Sequence, residues 1–402
     1  MNKTLSSTMN QNYTASAVMP QTRNAVMPQT RNVVMPQAKS AVMPQTCPVN
    51  AFNEWDPLEE VVVGGLFDAM FPDWTLINEV TVPPGEWKEV EKRIGGKGIP
   101  YPKELIDNAL KARNEFIKIL KGEGVTVRHV NPTPFSKPFS TPEWQVGCGF
   151  CSANPRDPFL VVGNEIIEAP MADRARYFES WAYKEIFKEY FHAGAKWTAA
   201  PKPQLLDALY DHNYTVPQKG EKMRYIVTEF EPVFDAADCV RCGKDIFMQL
   251  SNVTNISGVT WLQRHLGNDY KVHIIENESP EAIHIDTTFM PLGPGKMLVN
   301  PEWIDVKKLP SILKKWDILI APDPLPNKDP LKVVSDWISI NFLLLDEERI
   351  IVDKHQEPLI KALKSWGMKP ILCDFSAYFP FLGAFHCATL DIRRRGTLQS
   401  YF

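Results

Sequence analysis

The run FLVVGNEII at Phe159–Ile167, followed by MADRARYFESWAYKEIFKEYF at Met171–Phe191, decides how this chain folds. Two short apolar stretches broken by Gly163-Asn164 predict a hairpin, because glycine and asparagine tolerate the backbone angles of a tight turn. The longer segment carries its apolar residues at helical spacing and predicts a helix. The same order recurs elsewhere. Glu59–Gly65, Asp245–Leu250, Lys296–Val299 and Phe342–Asp353 read as strands or hairpins bounded by Gly, Asn or Asp. Lys103–Lys121, Asn255–Leu266, Val306–Lys315 and Pro358–Trp366 read as helices, and each leads into a further strand, as at Val125–Val130 and Tyr270–Ile275. A strand, strand, helix, strand unit therefore repeats about five times, as a pattern without shared sequence. Arranged around an axis, such units would form one large α/β domain with the strand-end loops turned to a central site.

The chain has 402 residues, 44% of them hydrophobic and 23% charged, enough to bury a large core. A net charge of −4 offers no basic stripe for nucleic acid, so a small-molecule partner is the simpler expectation. No apolar run approaches the ~20 residues of a spanning helix. Seven cysteines, an odd number without a secretory apolar core, suit reduced thiols in a cytoplasmic setting. Two C-x-x-C pairs, Cys148/Cys151 and Cys239/Cys242, have zinc-ligand spacing internally, but far more than the ~15–20 residues of a zinc ribbon separate them.

Residues 17–48 carry four copies of an octapeptide, AVMPQTRN, AVMPQTRN, VVMPQAKS and AVMPQTCP. Proline at Pro20, Pro28, Pro36 and Pro44 forbids a continuous helix, and the copies hold too few large apolar groups to offset the entropy of ordering. Residues 1–48 are thus expected to be a disordered extension and 49–402 the folded catalytic domain. The first 50 residues contain no Asp or Glu and are basic at Lys3, Arg23, Arg31 and Lys39, the composition of a transit peptide. Mitochondrial targeting is the alternative to a cytoplasmic location.

Four segments carry groups that could do chemistry. In Phe385-His386-Cys387-Ala388-Thr389, a cysteine lies close to Arg393, Arg394 and Arg395, cations expected to favour its thiolate. Asp157 ends Asn154-Pro155-Arg156-Asp157 at the start of a predicted strand; by itself it would serve equally as a turn carboxylate. Asp235 lies in Phe234-Asp235-Ala236-Ala237-Asp238, where small residues would let a ligand approach and Asp238 could equally cap a helix. Ile283-His284-Ile285-Asp286-Thr287-Thr288-Phe289 alternates with the period of a strand, which would place His284 and Asp286 on one face as a base and its orienting carboxylate. Two further carboxylates suit a planar cation, since a guanidinium presents N–H forks that match carboxylates bidentately. The chemistry implied is thiolate attack at a guanidine carbon.

These motifs resemble the arginine amidinotransferases. The resemblance rests on NEWDPLEEVVVG at Asn53, NPRD ending at Asp157, VVGNEIIEAPMADRAR at Val161, GAKWTAAPKP at Gly194, EFEPVFDAAD at Glu229, HIDTTF at His284 and FHCATLDIRRRGTLQSY at Phe385. It covers the chain from Asn50 to Phe402. It implies a five-bladed β/α propeller of ββαβ units, a pentein-like fold, with no cofactor and no metal. It further implies that Cys387 is the nucleophile, forming an amidino-thioether with arginine as ornithine leaves. His284 would serve as general acid and then base, Asp286 would hold its tautomer, and Asp157 and Asp235 would grip the guanidinium in a ping-pong cycle.

The chain departs from the glycine-using relatives at two places. After Asn300-Pro301 it reads Glu302-Trp303, where those relatives carry an arginine that helps hold the carboxylate of the arginine substrate; Trp303 cannot pair with a carboxylate. Val334-Ser335-Asp336 stands in place of a double serine, and only Ser335 matches. Trp303 and Ser335 are therefore the candidate substrate-binding residues. Arginine is the expected donor and glycine the expected acceptor, giving ornithine and guanidinoacetate as in creatine biosynthesis. The alternatives are lysine or a natural-product amine as acceptor, deiminase-like hydrolysis of arginine, and a zinc-stabilised binding protein. A homodimer is the candidate assembly.

Overall fold

A computed structural model describes residues 47–402 other than 74, 84, 85, 95–97 and 219. The octapeptide copies, apart from Cys47 and Pro48, and the targeting reading of the N-terminus lie outside the described residues. Among the latter, no helix is long and apolar enough to cross a membrane.

The hairpin at Phe159 forms as its sequence dictates: strands Phe159–Val162 and Glu165–Glu168 pair antiparallel, with Phe159 opposite Glu168 and Val162 opposite Glu165. Gly163 turns the chain at φ +59°, a region that strains any side chain with a Cβ. Lys196–Ala199 then adds in parallel beside the second strand. Among the described residues five three-stranded sheets share this plan, a middle strand antiparallel to one neighbour and parallel to the other. The others are Cys239–Cys242, Asp245–Gln249 and Lys271–Ile275; Phe289–Gly293, Lys296–Val299 and Asp317–Ile320; and Leu343–Leu344, Arg349–Asp353 and Lys369–Cys373. In the fifth, the C-terminal strand Thr389–Arg394 pairs antiparallel with Leu58–Val63, which pairs in parallel with Thr126–His129, so the two ends of the domain share one sheet.

The burial of each strand follows its place in this order. First strands such as Phe159–Val162, Cys239–Cys242 and Phe289–Gly293 are wholly buried, whereas the parallel outer strands Lys196–Ala199, Lys271–Ile275 and Lys369–Cys373 are exposed at their first and fourth residues. Helices Lys103–Gly122, Lys184–His192, Ile256–Leu266 and Glu357–Ser365 link second strands to third strands, and each buries an apolar stripe. Phe116, on the first of these helices, packs edge-on against Phe375 and Phe385, with centroids 5.1 and 5.3 Å away, and so supports the chain next to Cys387.

Three expected elements differ. Met171–Phe191 is α-helical only from Lys184; before it run the 3-10 turns Arg174–Arg176 and Glu179–Tyr183, where Asp173 accepts from the Ala175 N–H and Arg176 folds inward onto Glu179. Val306–Lys315 is two 3-10 turns, Val306–Lys308 and Ser311–Lys315, because Pro310 interrupts the helical ladder. The alternation at Ile283–Phe289 is not a strand: Ile285–Thr287 is a 3-10 turn, preceded by His284 at φ +55°.

A buried ionic network crosses the sheets. Glu54 takes a two-pronged bond from Arg241 at 2.7 Å on each oxygen, and Asp391 accepts from Arg156 at 2.7 Å and from Arg241 and Arg394 at 2.8 Å. Burial works against the charge on both acids, yet the surrounding arginines hold Glu54 and Asp391 well below the usual carboxylate range.

Candidate active site

The segment leading into the first strand of each unit supplies one or two groups to a common place. Asp157 precedes Phe159–Val162, Asp235 precedes Cys239–Cys242, and His284 and Asp286 precede Phe289–Gly293. Asn341 precedes Leu343–Leu344 and Cys387 precedes Thr389–Arg394. These segments are tied to one another: the Ala236 N–H donates to the Asp157 carbonyl at 2.7 Å, and the Arg156 and His386 N–H groups reach the carbonyls of Cys387 and Asn341 at 3.4 Å. The topology thus brings together residues far apart in the chain.

One cavity is walled by Asp157, His284, Asp286, Trp303, Ser335 and Cys387. The thiol of Cys387, the ring of His284 and the carboxylate of Asp157 have atoms within 4.8 Å of one another. Asp235 stands behind His284, its Oδ2 3.1 Å from Nε2, while Nδ1 faces Asp157 Oδ1 at 3.8 Å. Trp303 is buried with its ring tilted towards Trp337, and Ser335 opens the 3-10 turn Asp336–Ile340. Every candidate residue read from the sequence therefore lies on this cavity or touches a group that does.

Two pairings differ from expectation. Asp286 does not orient His284; its Oδ2 bonds His386 Nδ1 at 2.8 Å and accepts from the Cys387 thiol at 3.2 Å, because the 3-10 turn rotates it away from its neighbour in sequence. The C-terminal arginines do not reach the sulfur: Arg393 and Arg395 bond Glu59, and Arg394 bonds Asp391 and two carbonyls.

Electrostatics follow from this geometry. Burial, then the Asp286 carboxylate, push the Cys387 thiol up to about 12, against the pull of the His284 ring. Burial disfavours a cation at His284, but Asp157, the Asp235 hydrogen bond and Cys387 together hold it well above the ordinary histidine range. Asp157 is raised by burial and by Asp235, against His284 and Arg176. In the free site these influences favour a protonated imidazole and a protonated thiol, the opposite of the thiolate that nearby arginines suggested. A cation arriving among these acids would lower the cost of ionising the sulfur.

Residues that the sequence reading passed over complete the wall. Arg176 donates to Asp157 at 2.9 Å and takes Glu179 in a fork at 2.6 and 2.8 Å. Glu281 faces the cavity, and burial with the nearby Glu302 raises its carboxyl to about 7. Among the described residues the basic side chains on the wall are Arg176 and His284, both already bonded to carboxylates. Asn341 could have been noticed as the one amide in the apolar run Trp337–Leu345; Arg176 lay inside a quoted motif with no role attached. The C-x-x-C cysteines are buried thiols, all four pushed up by burial, and among the described residues neither pair belongs to a group of three or more possible metal ligands.

No family model matches the chain. It is 48% identical over 357 residues to an L-arginine:L-lysine amidinotransferase of Pseudomonas savastanoi pv. phaseolicola, covering 89% of this chain and 97% of that one. It is 44% identical over 367 residues to the mitochondrial glycine amidinotransferase of Gallus gallus, with 89% and 85% covered. Among solved structures it is similar to SxtG, an amidinotransferase of saxitoxin biosynthesis from Microseira wollei, at 64% identity and a TM-score of 0.87 over 89% of this chain and 100% of the other. A dimethylarginine dimethylaminohydrolase, 15% identical with a TM-score of 0.51 over 83% of this chain and 99% of the other, shares the pentein-type α/β fold alone. By its identity to these relatives along nearly their whole length, the chain belongs to the amidinotransferase family.

Proposed function

We propose that residues 49–402 are the catalytic domain of an L-arginine amidinotransferase, its five sheets standing as blades around the cavity, with Cys387 as nucleophile. The observation that carries this reading is the set of buried carboxylate oxygens around the thiol. Asp157 Oδ1, Asp235 Oδ1 and Asp286 Oδ1 have no hydrogen-bond donor among the described residues. Buried acceptors without donors are costly, and the N–H groups of a guanidinium would satisfy them while turning its central carbon towards the sulfur.

As the arginine cation enters, the Cys387 thiol loses its proton to solvent, since His284 already carries one, and the thiolate sulfur bonds to the guanidine carbon. The bond from that carbon to the ornithine nitrogen breaks, and His284 gives that nitrogen its proton. Ornithine leaves and an amidino-thioether remains. An acceptor amine then loses a proton to His284 and bonds to the same carbon, and the C–S bond breaks to restore the sulfur. Asp235, which bonds His284, takes the orienting role first assigned to Asp286.

Glycine was the acceptor expected from sequence, with guanidinoacetate as product. The cavity favours the alternative, an amine with no carboxylate close to the reacting nitrogen. Trp303 offers no charge, Arg176 is engaged, and Glu281 adds a further acid to the wall. The L-lysine specificity in the name of one relative is compatible with that preference, since a long side chain carries its reacting amine far from its carboxylate. A homodimer remains the candidate assembly. Labelled arginine offered with glycine, lysine and carboxylate-free diamines, with guanidino products and ornithine read by mass, tests donor and acceptor together. Guanidinoacetate as the dominant product would reject the acceptor preference, and citrulline in place of ornithine would reject the transfer.

A further inference from the structure

We infer that Asn341 is a catalytic residue whose side-chain amide donates a hydrogen bond to the Cys387 sulfur and stabilises it as a thiolate. The inference rests on Cys387 being the nucleophile. Asn341 is wholly buried, and its orientation is fixed by its partners. Its Oδ1 accepts from the backbone N–H groups of His386 and Cys387 at 3.0 and 3.2 Å, so the opposite end, the NH₂, must face the sulfur, which lies 3.0 Å from Nδ2.

The other groups around the sulfur cannot take this part. Asp286, at 3.2 Å, and Asp157 are anions that oppose a negative sulfur. His284 must give its proton to the departing amine during the cycle. The two backbone N–H groups of the cysteine turn, which could have formed an anion hole, are already used by Asn341 Oδ1. Of these groups Asn341 alone is neutral and can donate to the sulfur whatever protons move around it. It also stands before its buried strand as Asp157, Asp235, Asp286 and Cys387 stand before theirs, so the unit of Leu343–Leu344 contributes a neutral donor where the others contribute acids, a histidine or the thiol.

The decisive variant is Asn341→Asp. It keeps the acceptor that holds the turn and replaces the donor with an oxygen. Two rates are read on the purified full chain: formation of the amidino adduct on Cys387 from arginine, and iodoacetamide alkylation of Cys387 as a function of pH. The expected result is adduct formation slowed by about 100-fold or more, the range for losing one preorganised donor to a developing charge, with the alkylation profile moved to higher pH. Asn341→Ala, which adds no charge, should move the profile in the same direction by less, and decides the matter if the Asp variant fails to fold. Wild-type profiles and wild-type adduct rates in the soluble variants would overturn the inference. A wild-type enzyme that never forms the adduct would instead reject Cys387 as nucleophile, so the two failures are distinct.

Discussion

Asp286 is bonded to His386: Nδ1 of the ring lies 2.8 Å from its Oδ2, the same oxygen that accepts from the Cys387 thiol. The residue beside the nucleophile thus anchors the carboxylate that opposes its ionisation, and the far edge of the same ring, Nε2, faces Glu54 at 3.5 Å. The reacting sulfur is thereby linked through two side chains to the buried ionic network.

Asp286→Asn should have opposite effects on the two activities of the thiol. Removing a negative charge 3.2 Å from the sulfur lowers the thiol from its value of about 12, so alkylation of the free enzyme at pH 8 should quicken several-fold. Turnover with arginine should nevertheless fall by roughly 100-fold, since a guanidinium partner is lost. Stopped-flow alkylation and steady-state rates check the pair, and a slower alkylation would contradict the placement of that charge.

Asp235→Asn removes the partner of His284 Nε2 at 3.1 Å. The histidine is held above its ordinary range in part by that bond, so its proton should be lost at lower pH in the variant. The alkaline limb of the kcat profile, where His284 has lost the proton needed by the leaving amine, should move downwards in pH. Histidine titration by NMR in the unliganded protein should show the same direction.

Asp391→Asn should destabilise the fold by about 3–5 kcal/mol, because three buried guanidinium groups, those of Arg156, Arg241 and Arg394, then share one carboxylate fewer. Asp391 is depressed in the folded state, so its contribution is complete above the unfolded value of about 4 and is lost as pH falls through the folded one. The gap between wild type and variant in urea midpoints should therefore be largest at neutral pH and narrow below about pH 4.

Glu281→Gln should relax the discrimination against amino acids that react through their α-amine. With the acid gone, KM for glycine should fall by about 10-fold relative to that for a carboxylate-free diamine, a difference of about 1.4 kcal/mol. Unchanged selectivity would place the determinant elsewhere on the wall.

Much of the molecule was legible in the sequence because local physics carried it. The Gly163 turn, the helix Lys103–Gly122 and strands such as Lys296–Val299 are set by alternation, helical spacing and turn residues, all visible within short windows. Strands Cys239–Cys242 and Phe289–Gly293 were missed because, buried along their whole length, they do not alternate. The partners of Asp286 were misread for a different reason. Positive φ at His284 and the 3-10 turn after it are held by packing between units, and neither Ile nor Asp in that turn announces it. Asn341 meets Cys387 and Arg176 meets Asp157 across 46 and 19 residues of chain, so both contacts became visible once the sheets were in place.

The central claim is that Cys387 carries the amidino group between two substrates. Wild-type protein mixed with arginine and no acceptor amine, then quenched and mapped by mass spectrometry, should show one amidino group on the peptide containing Cys387 and one equivalent of ornithine released with it. The adduct should disappear, with a guanidino product formed, when an acceptor amine is added. Continuous production of citrulline without any acceptor, or release of ornithine with Cys387 unmodified, would contradict the account.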